Sequence, residues 1–249
     1  MRFKDQAICI RLSDWSETSQ VVTLVTQTHG KIRGLAKGSR RLSPSSVAKF
    51  SGGFELLTAG QIVATTKPSS DLATFTEWDL QQPHVHLRRD LNAQYMGLYA
   101  ADLSNAILAD HDAHQRSHDA LLALLPALAP IETRQAALLE FQWLLLVDAG
   151  YQLELNKDVK SKTALSAATS YLFDPHTGGF TTQGGHERSD HPQGPWKVRA
   201  TTVQILRTVA QGQTPSDVQA IVRANKLLCV YVRAILDREL PTMKFVLEG

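Results

Sequence analysis

The 249-residue sequence predicts an α+β protein with two domains, a small β-barrel at residues 1–80 and an α-helical domain at residues 81–249. The N-terminal domain is predicted from short apolar and β-branched segments, which are separated by turn signals about every eight to twelve residues, a pattern typical of a small barrel or a sandwich. Beyond Pro83, apolar residues recur at every third or fourth position, which is the spacing of amphipathic helices. The length of the chain also exceeds that of one ordinary domain.

Each predicted strand of the barrel is a short run of alternating or continuous apolar residues. His29 and Gly30 predict a turn before the third strand, and a polar loop with Pro44 is expected at 40–46. The predicted strands are 7–12, 21–26, 31–36, 54–58, 61–66 and 72–78.

Five helices are predicted in the second domain, with Ser216 as the N-cap of the last one. Glycines and prolines interrupt the helical pattern at 151–197, so this stretch is expected to be a loop-rich insert. The predicted helices are 87–108, 118–128, 133–148, 198–210 and 216–240.

The composition is that of an ordinary globular protein, with 43% hydrophobic and 20% charged residues. No apolar run has the length of a membrane span, and the N-terminus lacks the pattern of a signal peptide. Cys9 and Cys229 lie far apart in apolar stretches and are expected to be buried free thiols of a reducing compartment. A cytoplasmic location without a membrane partner is therefore expected.

A basic segment at 31–41 is the strongest functional signal in the chain. It holds five cations and two glycines, and no Asp or Glu occurs between Glu17 and Glu55. Residues 1–80 contain ten Lys and Arg against seven Asp and Glu, whereas the rest of the chain contains sixteen against seventeen. Such a cluster predicts an anion-binding surface, most simply for nucleic acid, over the alternative of a solvated strand face. The predicted phosphate contacts are Lys31, Arg33, Lys37, Arg40 and Arg41, with Lys49 and Arg11 at the margin.

Other residues near this segment leave two interpretations open. Arg88 and Arg89 either extend the basic track or pair with Asp90 and neighbouring acids. Phe50 and Phe54 are either partners for base stacking or part of the core.

Two groups of histidines have loose metal-ligand spacing, but a polar helix end or loop explains them more simply. They are His111, His114 and His118, and in the insert His176, His186 and His191. The chain contains none of the common catalytic signatures, so we predict neither a catalytic residue nor a metal site. An enzyme that uses the histidines of the insert remains the alternative.

Residues 15–26 and 29–41 closely resemble the N-terminal signature of the RecO family of bacterial DNA-repair mediators, and 141–151, 173–180 and 236–246 are similar more loosely. This resemblance implies an oligonucleotide-binding (OB) fold in the barrel, followed by the helical domain. It also implies a mediator of the RecF pathway, working at the nucleoid, that binds single- and double-stranded DNA and anneals complementary strands. The implied partners are RecR and the C-terminal tail of the single-strand-binding protein, with which such proteins help to load RecA.

The chain departs from that family in its insert. Many members carry two Cys-x-x-Cys pairs that bind zinc, and this chain has Asp158, Ser161, Thr182 and Gly185 near those places. We therefore expect no zinc or other cofactor and an insert at 151–197 that is held by packing. By the same resemblance, Arg223, Lys226 and Arg233 are expected to edge the groove for the acidic tail, or else to form a solvated stripe. An RNA- or ribosome-associated OB-fold module remains the alternative function.

Overall fold

The structure is a computed structural model that describes residues 1–41, 43–67, 69–182 and 195–248. The chain divides into two compact units, residues 1–129 and 130–249. The first unit contains the barrel and two long helices, so it is larger than the predicted barrel domain.

Five long strands close into the barrel of the first unit, as the sequence predicts. β1 pairs in antiparallel fashion with β2 and β5, β2 with β3, and β5 with β6, while a parallel pairing of β3 with β6 completes the circle. The strands are β1 (Arg2–Ser16), β2 (Ser19–Thr26), β3 (Gly30–Ala36), the short β4 (Phe50–Ser51), β5 (Ala59–Lys67) and β6 (Ser70–Gln82). This is the predicted OB-like architecture. The strand predicted at 54–58 was wrong, because Leu57 has a φ of +63° and the segment forms a turn.

Apolar side chains from alternate strand positions fill the barrel. Gly34 faces this interior, and a Cβ atom there would overlap the ring of Phe75. The close packing of this ring, and not the approach of a ligand, therefore requires the glycine. The buried cluster includes Phe3, Cys9, Leu24, Ile32, Phe50, Phe54, Ile62, Phe75 and Trp78.

Three α-helices complete the first unit. A short helix, α1 (Pro44–Lys49), occupies the segment predicted to be a loop, and its first turn is capped by Ser43. A single 3₁₀ turn (Val85–Arg88) precedes α2 (Leu91–Ile107), which begins later than predicted because Asp90 caps it by accepting a hydrogen bond from the Ala93 amide. The third helix is α3 (Gln115–Ala127).

In the residues that the structure describes, the second unit combines four helices with a small sheet. The helices are α4 (Arg134–Asp148), α5 (Ala200–Ala210), α6 (Val218–Leu236) and α7 (Lys244–Leu247). Asp217, and not the predicted Ser216, caps α6, since its carboxylate accepts the Ala220 amide at 3.0 Å. The insert contains more β structure than we expected. Its described strands are β7 (Glu154–Asp158), β8 (Ser170–Asp174), β9 (Gly179–Thr181) and β10 (Trp196–Arg199), in the order β10-β8-β9-β7.

Both cysteines are buried free thiols, as predicted. Burial raises the pKa of the Cys9 thiol far above its usual range. Among the described residues, no helix combines the length and the apolar character needed to cross a membrane.

Candidate nucleic-acid interface

A cleft of about 500 Å³ opens on the barrel beside the end of β3. Three cations line it, and no carboxylate does, so its electrostatic potential favours an anion. We call it the basic cleft. Its lining residues are Trp15, Ser16, Ser19, Leu35, Lys37, Gly38, Arg41, Ser45, Ser46, Lys49 and Phe50.

The turn after β3 is fixed against the β1–β2 turn by backbone hydrogen bonds. The Gly38 amide donates to Ser19 Oγ at 3.2 Å, and the Arg40 amide donates to the Thr18 carbonyl at 3.2 Å. The Arg41 amide closes the turn on the Gly38 carbonyl at 3.0 Å, with Gly38 at a φ of +74°. A residue other than glycine would be strained at this φ. The backbone from which the cations of the cleft project is therefore held in place.

Trp15 was not among the predicted functional residues, although 65% of it is exposed at the mouth of the basic cleft. It lies at a β-bulge, because Asp14 pairs with Gln20 and Ser16 pairs with Ser19. Trp15 is thus the extra residue of β1, and a bulge of this kind changes the direction of a side chain. The sequence signal available was a tryptophan among polar residues in a half-buried strand.

Phe50 and Phe54, the stacking candidates, lie in the barrel core with 6% exposure each. Their rings pack together at a centroid distance of 5.8 Å, and Phe54 stacks on Trp78 at 4.9 Å. Phe50 and Phe54 are therefore part of the core, which was one of the two interpretations left open by the sequence.

Arg11 and Arg33 lie beside the basic cleft on the outer face of the sheet. Both are exposed, and both pair in register with Thr23 of the strand between them. Leu35, which lines the cleft, lies two residues beyond Arg33 on the same face, or about 7 Å along the strand. The two arginines therefore continue the cationic surface away from the cleft.

Lys31 is engaged within the protein. Its side chain is 11% exposed, and its Nζ lies 3.1 Å from Asp110 Oδ1. The same Nζ donates to the Asn105 carbonyl at 2.7 Å. Lys31 thereby attaches the start of β3 to the end of α2 and has little capacity left for a phosphate.

Three more of the predicted cations are exposed, and two of these are paired. Arg40 Nη1 contacts Asp14 Oδ1 at 2.9 Å, and Arg88 pairs with Glu55. Arg88 therefore pairs with an acid, although not with Asp90. Arg89 is exposed.

A buried carboxylate fixes the turn before β3. Asp5 Oδ2 accepts hydrogen bonds from the Thr28 amide and hydroxyl, both at 2.9 Å, and contacts His29 Nδ1 at 2.8 Å. The His29 ring stacks on Phe3 at 3.8 Å. Burial alone would raise the pKa of Asp5, but the bonds from His29 and Thr28 outweigh it and lower that pKa.

A second surface, which we call the cationic groove, lies in the second unit between β10 and α6. It has a volume of about 340 Å³, and Trp196, Val198, Leu227 and Val230 form its apolar part. Among the described residues, the buried Nε of Arg223 has no hydrogen-bond partner. The predicted Arg223, Lys226 and Arg233 all line this groove, together with Lys197 and Arg199.

Asp158, the last residue of β7, connects this strand to the end of β9. It is 2% exposed, and its Oδ1 accepts the amides of Lys160 and Ser161 at 2.9 and 3.1 Å. Its Oδ2 accepts the hydroxyl of Thr181 at 2.8 Å and both the amide and the hydroxyl of Thr182, at 2.8 and 3.2 Å. Burial by itself raises the pKa of Asp158, but the bonds from Thr182, Ser161, Thr181 and Lys160 hold it well below its usual range.

Within the described part of the chain, no three His, Cys, Asp or Glu side chains are grouped so that they could hold a metal ion. His118 is buried with Nδ1 at 2.9 Å from Asp119 Oδ1, whereas His114 lies 3.5 Å from Asp112. His111 and His176 are exposed. His186, His191 and Gly185 lie outside the described residues.

Comparison with known proteins gives consistent matches along the chain. Residues 1–84 match the family model "Recombination protein O N terminal", and residues 88–244 match "Recombination protein O C terminal". A protein named DNA repair protein RecO from Anaeromyxobacter sp. (strain Fw109-5) is 29% identical over 85% of this chain and 80% of its own length. A protein of the same name from Dehalococcoides mccartyi (strain ATCC BAA-2100) is 25% identical over 99% of this chain and 95% of its own length. The chain therefore belongs to the RecO family of DNA repair and recombination proteins.

Proposed function

We propose that this chain is a non-enzymatic mediator of DNA repair and recombination that binds single- and double-stranded DNA through its barrel. The observation that carries the proposal is the basic cleft, where Lys37, Arg41 and Lys49 meet without a lining carboxylate. Cations arranged in this way neutralise phosphates without reading base edges. Arg33 and Arg11 would hold the strand where it leaves the cleft. Lys31 is the weakest member of the predicted set, because Asp110 and Asn105 already engage it.

Fluorescence anisotropy of a labelled oligonucleotide tests this proposal. Wild type is compared, over a range of salt concentrations, with a triple alanine variant at Lys37, Arg41 and Lys49. Each phosphate contact on a single strand contributes about 0.7 to the slope of log K against log salt, so the slope should become shallower by about 2. DNA binding with an unchanged slope in the triple variant would contradict the proposal.

A second triple alanine variant serves as the matched control. Lys67, Arg116 and Lys160 are exposed and absent from the lining of the basic cleft, and their removal changes the net charge by the same three units. This variant should keep the wild-type slope. Structured RNA is included as a competitor, because equal or tighter binding of RNA would favour the RNA-associated alternative.

Strand annealing is the activity that we propose to follow from such binding. A surface that neutralises backbone charge and leaves base edges free allows two strands to approach and pair. The triple cleft variant should therefore anneal complementary strands more slowly, in proportion to its loss of binding. Reduced binding with an unchanged annealing rate would contradict this step. We further propose that the annealed or bound strand is delivered to RecA together with RecR, in the cytoplasm at the nucleoid.

We propose the cationic groove as the site for the acidic tail of the single-strand-binding protein. An apolar floor suits apolar side chains of the tail, and the lysines and arginines that line the groove offer donors for its carboxylates. A labelled peptide of the tail should bind wild type and lose affinity in Arg223→Ala and Lys226→Ala. Lys160→Ala, whose side chain does not line the groove, is the control. Peptide binding that survives both substitutions would place the tail elsewhere.

We also propose that the insert holds its structure without zinc. The support is Asp158, whose five hydrogen bonds join the turn after β7 to the end of β9. The protein purified from cells should contain less than one zinc per chain, and a chelator should leave its thermal unfolding midpoint unchanged. A stoichiometry near one, lost after substitution of the histidines of the insert, would favour the enzyme or metal alternative.

A further inference from the structure

Trp15 offers the basic cleft a chemistry that its cations do not have. An indole with 65% exposure has an aromatic face that is open to a ligand. The bulge between Asp14 and Ser16 aims this side chain at the cleft, where Lys37 and Arg41 lie on the opposite turn. We propose that Trp15 stacks on an unpaired base of the DNA, which makes the basic cleft selective for single strands over duplex.

The argument rests on the proposed function, because the cations must first bring a DNA backbone to the cleft. Every nucleobase has an aromatic face, so stacking on one tryptophan is tolerant of sequence. In a duplex, both faces of an internal base are already covered by its neighbours, and freeing one of them costs stacking energy. A single strand exposes such faces without this cost. Trp15 therefore adds to the affinity for a single strand and not to the affinity for a duplex.

The position of Trp15 is held by the same contacts that hold the cations. Arg40, on the turn after β3, pairs with Asp14 next to Trp15 at 2.9 Å. The Gly38 and Arg40 amides bond to Ser19 and Thr18 of the β1–β2 turn. The aromatic face and the phosphate-binding side chains thus belong to two turns that are bonded to each other, so that one nucleotide is able to contact both.

The test compares Trp15→Ala and Trp15→Phe with wild type on three ligands of equal length. These are a single-stranded oligonucleotide, the same backbone with abasic sites in place of bases, and a blunt duplex. Trp15→Ala should weaken binding of the single strand by about 5- to 150-fold, and Trp15→Phe should weaken it much less. Binding of the abasic strand and of the duplex should change by less than about twofold, since phosphate contacts alone hold them.

Salt dependence separates this inference from the proposed function. Stacking releases no counterions, so Trp15→Ala should lower the affinity for the single strand at every salt concentration without changing the slope. Substitution of the cleft cations should change the slope instead. Leu56→Ala, which removes another exposed apolar side chain, is the control and should bind as wild type does.

Intrinsic fluorescence provides a second measurement in case an affinity change is small. The buried Trp78 and Trp143 and the partly exposed Trp196 are present in both proteins, so the quenching that disappears between wild type and Trp15→Phe reports on Trp15. Quenching by the single strand but not by the abasic strand would support the stacking. Unchanged affinity for the single strand in Trp15→Ala, or an equal loss on all three ligands, would overturn the inference and leave the cation cleft intact. Absence of DNA binding by wild type would overturn the proposed function itself, and the stacking with it.

Discussion

Replacing Asp158 with asparagine is the most informative perturbation of the second unit. The carboxylate accepts five hydrogen bonds, two on Oδ1 and three on Oδ2. An amide has only one oxygen, and its nitrogen donates instead of accepting. The favourable orientation keeps the oxygen towards the Lys160 and Ser161 amides, because the hydroxyls of Thr181 and Thr182 are able to rotate and accept from the new nitrogen. The Thr182 amide is then left without an acceptor.

The expected cost of Asp158→Asn follows from these contacts. One buried N–H without a partner costs about 1–3 kcal/mol, and the remaining bonds lose the strength that the negative charge gave them. We expect the free energy of unfolding of the second unit to fall by about 2–4 kcal/mol. Glu140→Gln removes an exposed carboxylate of the same unit and should change it by less than about 0.5 kcal/mol.

Native-state hydrogen exchange and urea unfolding measure this effect. The Thr182 amide should exchange faster in Asp158→Asn, and the difference should shrink as the pH is lowered. A carboxyl whose pKa is depressed by folding stabilises the protein above its unfolded pKa of about 4, and this contribution is lost as the pH falls below that value. Unchanged exchange at Thr182, together with an unchanged free energy of unfolding, would refute the assignment of Asp158 as the residue that holds the insert.

Three further predictions concern the barrel. Asp5→Asn should destabilise it by about 1–3 kcal/mol at neutral pH, and since folding lowers the pKa of Asp5, the difference from wild type should diminish below about pH 4 in thermal unfolding. Gly34→Ala should lower the free energy of unfolding by about 1–3 kcal/mol, because the new methyl group displaces the ring of Phe75. Unfolding followed by circular dichroism measures this loss. A change of more than about 0.3 in the salt slope of DNA binding would contradict our placement of Gly34 inside the barrel. Lys31→Ala should lower the thermal unfolding midpoint and leave the salt slope of DNA binding unchanged. Lys37→Ala should leave the midpoint unchanged and make the slope shallower by about 0.7. Equal slope changes in both variants would show that Lys31 also contacts phosphate.

The barrel was predictable because its signal is local. Along β3, the alternation of buried and exposed positions sets which side chains enter the core, and the turn at Gly30 sets the register of β3 against β2. The same alternation placed Arg33 on the outer face. Along β2 it does not set exposure, because every residue from Val21 to Thr26 is buried.

The features that the sequence did not predict depend on partners that are distant in the sequence or on irregular backbone geometry. Lys31 has the alternation of an exposed cation, but Asp110 and Asn105, more than seventy residues away, engage it. Trp15 escaped because a bulge changes the direction of its side chain, and a single added residue leaves no trace in the composition. The segment at 54–58 had the composition of a strand, yet the left-handed backbone of Leu57 makes it a turn.

The insert shows the same limit. Its glycines and prolines predicted loops, yet the described part of the insert contains four short strands, and Gly179 lies in one of them. Asp158 carried no sequence signal as an organising residue, since its partners at Thr181 and Thr182 lie more than twenty positions away. Only the folded arrangement reveals that one carboxylate bonds to the ends of both β7 and β9.

The burial of both thiols has a consequence for chemical durability. Oxidants attack the thiolate, and Cys9 is kept protonated and away from solvent, while Cys229 is enclosed in the second unit. The insert is bonded through a carboxylate, two hydroxyls and backbone amides, none of which peroxide consumes. Exposure to peroxide should thus leave both cysteines of the folded chain unmodified, and oxidation should fall instead on exposed side chains such as Met1.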